Sequence, residues 1–260
     1  MTRGAFLLSL AAGCLCWCAG TAAAQTLTVA AASDLQSALP AIVSAFERET
    51  GRKVTLTFGS SGNFFAQIQN GAPFDVFLSA DIDYPRRLES SGLGERGSLY
   101  EYARGRIVLW TRSDSGIDVS RGLQSLTQNT VRRISIANPD HAPYGRAAVA
   151  ALRAERVYGA VREKLVMGEN ISQAAQFVQS GSADVGIIAL SLALSPALKA
   201  SGSHVQVPES LYSPIQQAAI VLASSRQKAI ARQFVEMLKT PPIERILQSY
   251  GFAIPAAGGR

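Results

Sequence analysis

The sequence predicts an α/β fold of two lobes, with mainly parallel sheets, flanking helices and a ligand cleft between the lobes. Three observations carry that expectation. Short apolar strands alternate with segments of helical period along the chain, the order that builds a parallel sheet covered by helices on both faces. Strands repeatedly end in Ser- or Gly-rich turns that open a helix. The second half repeats the plan of the first without repeating its sequence.

At the N-terminus, Arg3 precedes an apolar run at 5–13, and small residues lead to Ala22, Ala23 and Ala24 before Gln25. These are the three regions of a secretory signal peptide, so 1–24 is expected to be a leader cleaved near Ala24 and the remainder to be exported. Ala11 stands where a lipoprotein cleavage box favours a larger aliphatic residue, so Cys14 is not expected to carry a lipid. Cys14, Cys16 and Cys18 are all the cysteines, and all lie in the leader. A disulfide, a Cys-ligated metal and a Cys nucleophile are therefore not expected in the exported part. No later apolar run reaches the roughly 20 residues that cross a bilayer. The net charge is +6, but the basic residues (Arg86, Arg87, Arg132, Arg133, Arg226 among them) are scattered. They read as a solvated basic surface with no nucleic-acid partner.

Residues 27–31 form the first expected strand, and Leu35, Leu39, Ile42, Val43 and Phe46 follow at helical spacing up to Gly51. Ser33 sits at the join. In an open α/β sheet that is the carboxyl end of a strand, where free backbone N–H groups and the helix dipole attract anions. The plain alternative is that Ser33 only caps the helix. Residues 54–58 are a second strand, and Gly59-Ser60-Ser61-Gly62-Asn63 then opens a helix marked by Phe64, Phe65 and Ile68. The same device recurs, with backbone that can approach a ligand and hydroxyls that can donate.

Residues 74–81 are a third strand, followed by a helix at 82–91 ended by Gly92. A strand at 106–111, a weakly helical stretch at 122–128 and a strand at 133–137 come next. Asn138, Pro139, Pro143 and Gly145 mark a turn-rich loop leading into a helix at 146–156. Residues 165–168 are a strand, Glu169-Asn170-Ile171-Ser172 opens a helix that ends before Gly181, and 183–189 is a buried strand. Late strands at 205–207 and 215–222 precede a helix at 227–239, stopped by Pro241 and Pro242, and a last helix at 243–250. A crossing near Arg104 and a return near Ile220 divide the chain into lobe 1 at 25–104 and 221–260 and lobe 2 at 105–220.

Six segments together resemble the periplasmic molybdate-binding proteins of ABC transporters. They are Ala30-Ala-Ala-Ser33, Phe58-Gly-Ser-Ser61-Gly, Gly71-Ala-Pro-Phe-Asp75-Val-Phe-Leu-Ser-Ala-Asp81, Asn138-Pro-Asp-His-Ala-Pro-Tyr-Gly145, Glu169-Asn-Ile-Ser-Gln-Ala174 and Tyr250-Gly-Phe252. The resemblance covers essentially all of the exported chain. It implies the periplasmic-binding-protein fold, and a molybdate or tungstate ion held between the lobes by neutral donors. It further implies delivery to a membrane permease by a periplasmic monomer without cofactor or catalysis. By position, Ser33 and Ser61 are implied as hydroxyl and N–H donors, and Tyr144 and Ile171 as backbone N–H donors. The ion would be held through its oxygens, with no direct metal-ion ligands.

Ala189 stands where several relatives carry a tyrosine that touches the oxyanion. The Tyr144 hydroxyl is expected to replace that donor, with Ser191 as the alternative. Asp34 would repel an anion and is expected to face solvent or cap the helix. His141 is expected to be a loop residue, and Asp75 and Asp81 to hold turns rather than a metal. Neutral N–H and O–H donors suit a fully ionised dianion, because a protonated oxyanion also needs an acceptor. The alternatives are a receptor for sulfate or phosphate and, remotely, a secreted hydrolase. For the latter only His141 and His204 are available as bases, and Gly59-Ser-Ser-Gly62 lacks the Gly-x-Ser-x-Gly elbow.

Overall fold

The computed structural model describes residues 26–255; the expected leader at 1–24, its cleavage point and the three cysteines lie outside the described residues. The first lobe opens with β1 (Leu27–Ala32), a 3-10 turn at Ser33–Leu35, α1 (Leu39–Thr50), β2 (Val54–Gly59), α2 (Ser61–Gln69), β3 (Val76–Ser79), α3 (Asp83–Ser90) and β4 (Tyr100–Gly105). The chain then runs through β5 (Ile107–Arg112), a 3-10 segment at Gly122–Thr127, β6 (Ile134–Ala137), α4 (Pro143–Ala154), α5 (Tyr158–Val161), β7 (Leu165–Gly168) and α6 (Ile171–Gln179). It continues with β8 (Val185–Ala189), α7 (Leu190–Ala193), α8 (Pro196–Ser201) and β9 (Gly202–Gln206). It closes with β10 (Ile215–Val221), α9 (Lys228–Met237) and α10 (Pro241–Ser249).

Two five-stranded sheets result, in the orders β2-β1-β3-β10-β4 and β7-β6-β8-β5-β9. β1 pairs parallel with β2 and β3, and β10 pairs antiparallel with β3 and β4. β6 pairs parallel with β7 and β8, and β5 antiparallel with β8 and β9. Each sheet therefore has one reversed strand among otherwise co-directed ones, at the same place in the order. The reversed strands, β5 and β10, are the first met after each crossing between lobes.

The return crossing occupies 207–214, so residues 215–220, expected in lobe 2, lie in lobe 1. Ile215 pairs with Gly105, and Ile220 with Phe77, along the full length of β10. A mostly apolar strand reads alike in either sheet, so its pattern cannot reveal which one it joins. Two prolines were also expected to end or precede helices but instead start them. Pro143 begins α4 and Pro241 begins α10, since the first helical residue needs no N–H. The edge strand β4 and the short helices α5, α7 and α8 carry too few periods to stand out in sequence.

Alternation along β1 sorts the first lobe into two layers. Leu27, Val29 and Ala31 pack with Phe46 of α1 and Phe234 of α9, while Ala30 packs with Phe64 and Phe65 of α2 and Leu88 of α3. The second lobe has one core, built on Trp110, Ile134, Ile187 and Leu152. Ala32 and Ala80 of the first lobe belong to that same core, so the lobes are in direct contact at the cleft. Among the described residues, no helix is long and apolar enough to cross a membrane, and no three metal-ligating side chains converge.

Candidate functional site

Four strand ends face one another across the lobes. β1 runs through Ser33 into its 3-10 turn, and β2 runs through Ser60 into α2, which begins at Ser61. β6 leads by a tight loop to Pro143 and Tyr144 at the start of α4, and β7 leads to Ile171, the first residue of α6. Ser33, Ser61, Tyr144 and Ile171 line one cavity, together with Asp34, Ser60 and the small residues Ala32, Gly59, Ala80 and Ala142. The space it encloses is small, about 10 Å³. Sites for drug-sized ligands hold roughly 300–1,000 Å³, so a ligand of that size does not fit here.

Each of the four residues brings a backbone N–H from the start of a helix, where no carbonyl lies one turn back to accept it. Asn170 caps α6 by accepting from Ser172 and Gln173 N–H, both at 3.0 Å, and leaves the Ile171 N–H to the cavity. The two hydroxyls are held the same way. Ser61 Oγ accepts from Ala80 N–H at 2.9 Å, and Ser33 Oγ from Ser172 N–H at 3.4 Å. A hydroxyl that accepts from backbone still has its own hydrogen to give, and among the described residues neither is seen to give it to a protein acceptor. The cavity thus presents four N–H and two O–H donors, and no Lys or Arg lines it. Ser33 is not a cap, because Ala32 precedes the turn and no side chain bonds there. Ser60 does the capping of α2, accepting from Asn63 N–H at 3.4 Å.

Asp34 departs from expectation. It is fully buried, and its Oδ2 accepts from the Tyr144 hydroxyl at 2.9 Å and from Gln217 Nε2 at 2.6 Å. Gln217 Oε1 in turn accepts from the Tyr102 hydroxyl at 2.8 Å. Asp34 Oδ1 is buried without a hydrogen-bond partner. Burial pushes this carboxyl up to about 6, against the opposing pull of Gln217, Tyr144 and the backbone N–H groups of Asp34 and Leu35.

Two expected substitutes for the donor absent at Ala189 are therefore engaged elsewhere. Residue 144 lies in the first turn of a helix rather than at a loop tip, and its phenol turns inward to Asp34. Ser191 Oγ donates to the Asp34 carbonyl at 2.7 Å. The sequence signal of this network is the Gln216-Gln217 pair, which interrupts the apolar residues of β10.

A profile of the bacterial extracellular solute-binding protein family matches residues 27–253. The chain belongs to that family. The molybdate-binding protein ModA of Azotobacter vinelandii is 40% identical over 248 residues, 95% of this chain and 96% of the relative. ModA of Rhodobacter capsulatus is 38% identical over 231 residues, 89% of each. The solved structure of the Azotobacter vinelandii periplasmic molybdate-binding protein matches with a TM-score of 0.83 at 36% identity, covering 88% of this chain and 99% of that one. The two-lobed periplasmic-binding-protein fold follows.

In this solute-binding protein the lobes are shut on each other. His141 lies at the closure: its Nδ1 is 2.9 Å from Ser60 Oγ, and its carbonyl accepts from Gly62 N–H at 2.9 Å. Asn63 Nδ2 donates to Glu169 at 2.5 Å, Ser172 Oγ bonds Gln36, and Arg146 pairs with Asp81. Asp81 also accepts from Asp83 N–H at 2.9 Å, and Asp75 accepts from Thr28 and Ser225, so both hold the chain in place. Ser60, His141 and Glu169 fall in a row across the closure. Ser60 Oγ accepts from Asn63 N–H as the cap of α2 and meets His141 Nδ1, while Glu169 stands 3.7 Å from His141 Nε2, beyond a hydrogen bond.

Proposed function

We propose that this protein is the periplasmic receptor that binds molybdate, and tungstate, in this cavity and delivers it to the membrane permease of an ABC transporter. The single supporting observation is the set of four N–H and two O–H donors converging without a cationic side chain. A tetrahedral dianion accepts at every corner and has no hydrogen of its own to place, which matches such a lining. Two relatives, at 40% and 38% identity, carry the name molybdate-binding protein. Ser33 and Ser61 belong to one lobe and Tyr144 and Ile171 to the other, so a bound ion ties the lobes shut. The closed form is then what a permease would recognise as loaded. All donors come from one chain, so a monomer suffices, and no resident cofactor enters.

A second reading, a protonated oxyanion such as hydrogen phosphate, draws on one observation: Asp34 Oδ1 is an acceptor without a partner. Thermal melting with a panel of oxyanions separates the two. A ligand confined to the folded state adds about 2.7 kcal/mol of stability at 100 times its Kd. Molybdate and tungstate are expected to raise Tm, and sulfate and phosphate at equal concentration to leave it unmoved. Equal shifts with phosphate or sulfate would overturn the assignment.

A further inference from the structure

We propose that Asp34 takes up one proton when the oxyanion loads and donates it from Oδ1 to an oxygen of the ion, so that binding is proton-linked. The inference rests on the reading of the cavity as an oxyanion site. Asp34 lines that cavity, is fully buried, and has its two oxygens in different situations. Oδ2 is held by the Tyr144 hydroxyl and Gln217, both donors; the backbone N–H groups of Asp34 and Leu35 lie near the carboxyl, but among the described residues none makes a hydrogen bond to Oδ1. A proton on the carboxyl therefore belongs on Oδ1.

The side chains around the carboxyl are neutral, and β2 and α6, which also pack on its turn, carry no charged residue. β10 contributes Gln217, α4 contributes Tyr144, β4 contributes Tyr102 behind Gln217, and α7 contributes Ser191 on the backbone carbonyl. Burial holds the phenols of Tyr102 and Tyr144 well above their ordinary titration range, so both stay uncharged. Among the described residues no cation offsets the carboxylate. A dianion entering beside an ionised Asp34 would place like charges together in a dry cavity, which favours the protonated acid. As the acid, the same group becomes one more neutral donor and completes the lining.

The sign of the pH dependence follows. In the empty protein Asp34 titrates at about 6, and in the loaded protein the neighbouring dianion pushes it higher. Below that value the proton is already in place. Above it each loading event draws one proton from solvent, and the molybdate Kd is expected to rise about tenfold per pH unit between about pH 7 and 9. Asp34→Asn keeps the shape, offers its carbonyl to Tyr144 and Gln217, and presents its NH₂ where Oδ1 was, with nothing to titrate.

Calorimetric titration with molybdate across this pH range, repeated in two buffers of different ionisation enthalpy, counts the protons. Wild type is expected to take up one proton per ion at the alkaline end. Asp34→Asn is expected to take up none and to bind with an affinity independent of pH. Wild-type binding with a flat profile and no proton uptake overturns the inference while leaving the receptor intact. If the variant fails to fold, the wild-type proton count decides alone. Absence of molybdate binding at every pH overturns the receptor and the inference together. Hydrogen phosphate bound by wild type and lost in Asp34→Asn would make Asp34 an acceptor, which also overturns it.

Discussion

The double variant Ser33→Ala, Ser61→Ala is expected to bind molybdate about 3–6 kcal/mol more weakly than wild type, roughly a factor of 10²–10⁴ in Kd. Each hydroxyl gives a hydrogen bond to a charged acceptor, and such bonds contribute about 1.5–3 kcal/mol each. The two meet on one ion and couple, so their sum sets the upper end. Folding should survive at a modest cost. Ala80 N–H loses the acceptor it has in Ser61 Oγ, and an unsatisfied buried donor costs about 1–3 kcal/mol. Titration calorimetry reads the first effect and thermal melting the second. Unchanged affinity in a folded double variant would remove both serines from the site.

Gly62→Val is expected to produce a loss of similar size from the opposite direction, by holding the lobes apart. A Cβ on residue 62 would lie 2.6 Å from the His141 carbonyl oxygen and 2.9 Å from its Cα, across the cleft. Both obstacles are backbone, so neither can rotate away. Residue 62 has no left-handed backbone in α2, so a side chain there brings no backbone strain. With the cleft wedged open, the N–H groups of Tyr144 and Ile171 no longer reach an ion seated on Ser33 and Ser61. Losing two bonds to a charged ligand costs about 3–6 kcal/mol. Small-angle scattering is the second readout: saturating molybdate should compact wild type and leave the variant open. A variant that still closes and binds normally would show that residue 62 does not control closure.

Much of the site is written locally. The strand, serine and helical-period sequence around Ser33 and again around Ser61 is complete within a dozen residues, and both serines line the cavity. Tyr144 and Ile171 were placed by resemblance, and their neighbours alone, a Pro-rich loop and a Glu-Asn turn, would not single out an N–H. The surroundings of Asp34 were out of reach for a different reason. Its partners Tyr144 and Gln217 lie 110 and 183 residues away, and only the closed fold brings an acid expected at the surface into the core. The strand order shows the same limit. Period and composition reveal that 215–222 is a buried strand, but not that it returns to the first sheet between β3 and β4.

The most direct measurement is a crystal structure of the protein with molybdate, located by anomalous scattering at the molybdenum edge. The ion is expected between the lobes, its oxygens accepting from the Ser33 and Ser61 hydroxyls and from the N–H groups of Ser33, Ser61, Tyr144 and Ile171, with no Lys or Arg in contact. An anomalous peak outside this cavity, or an ion held there by a basic side chain, would contradict it.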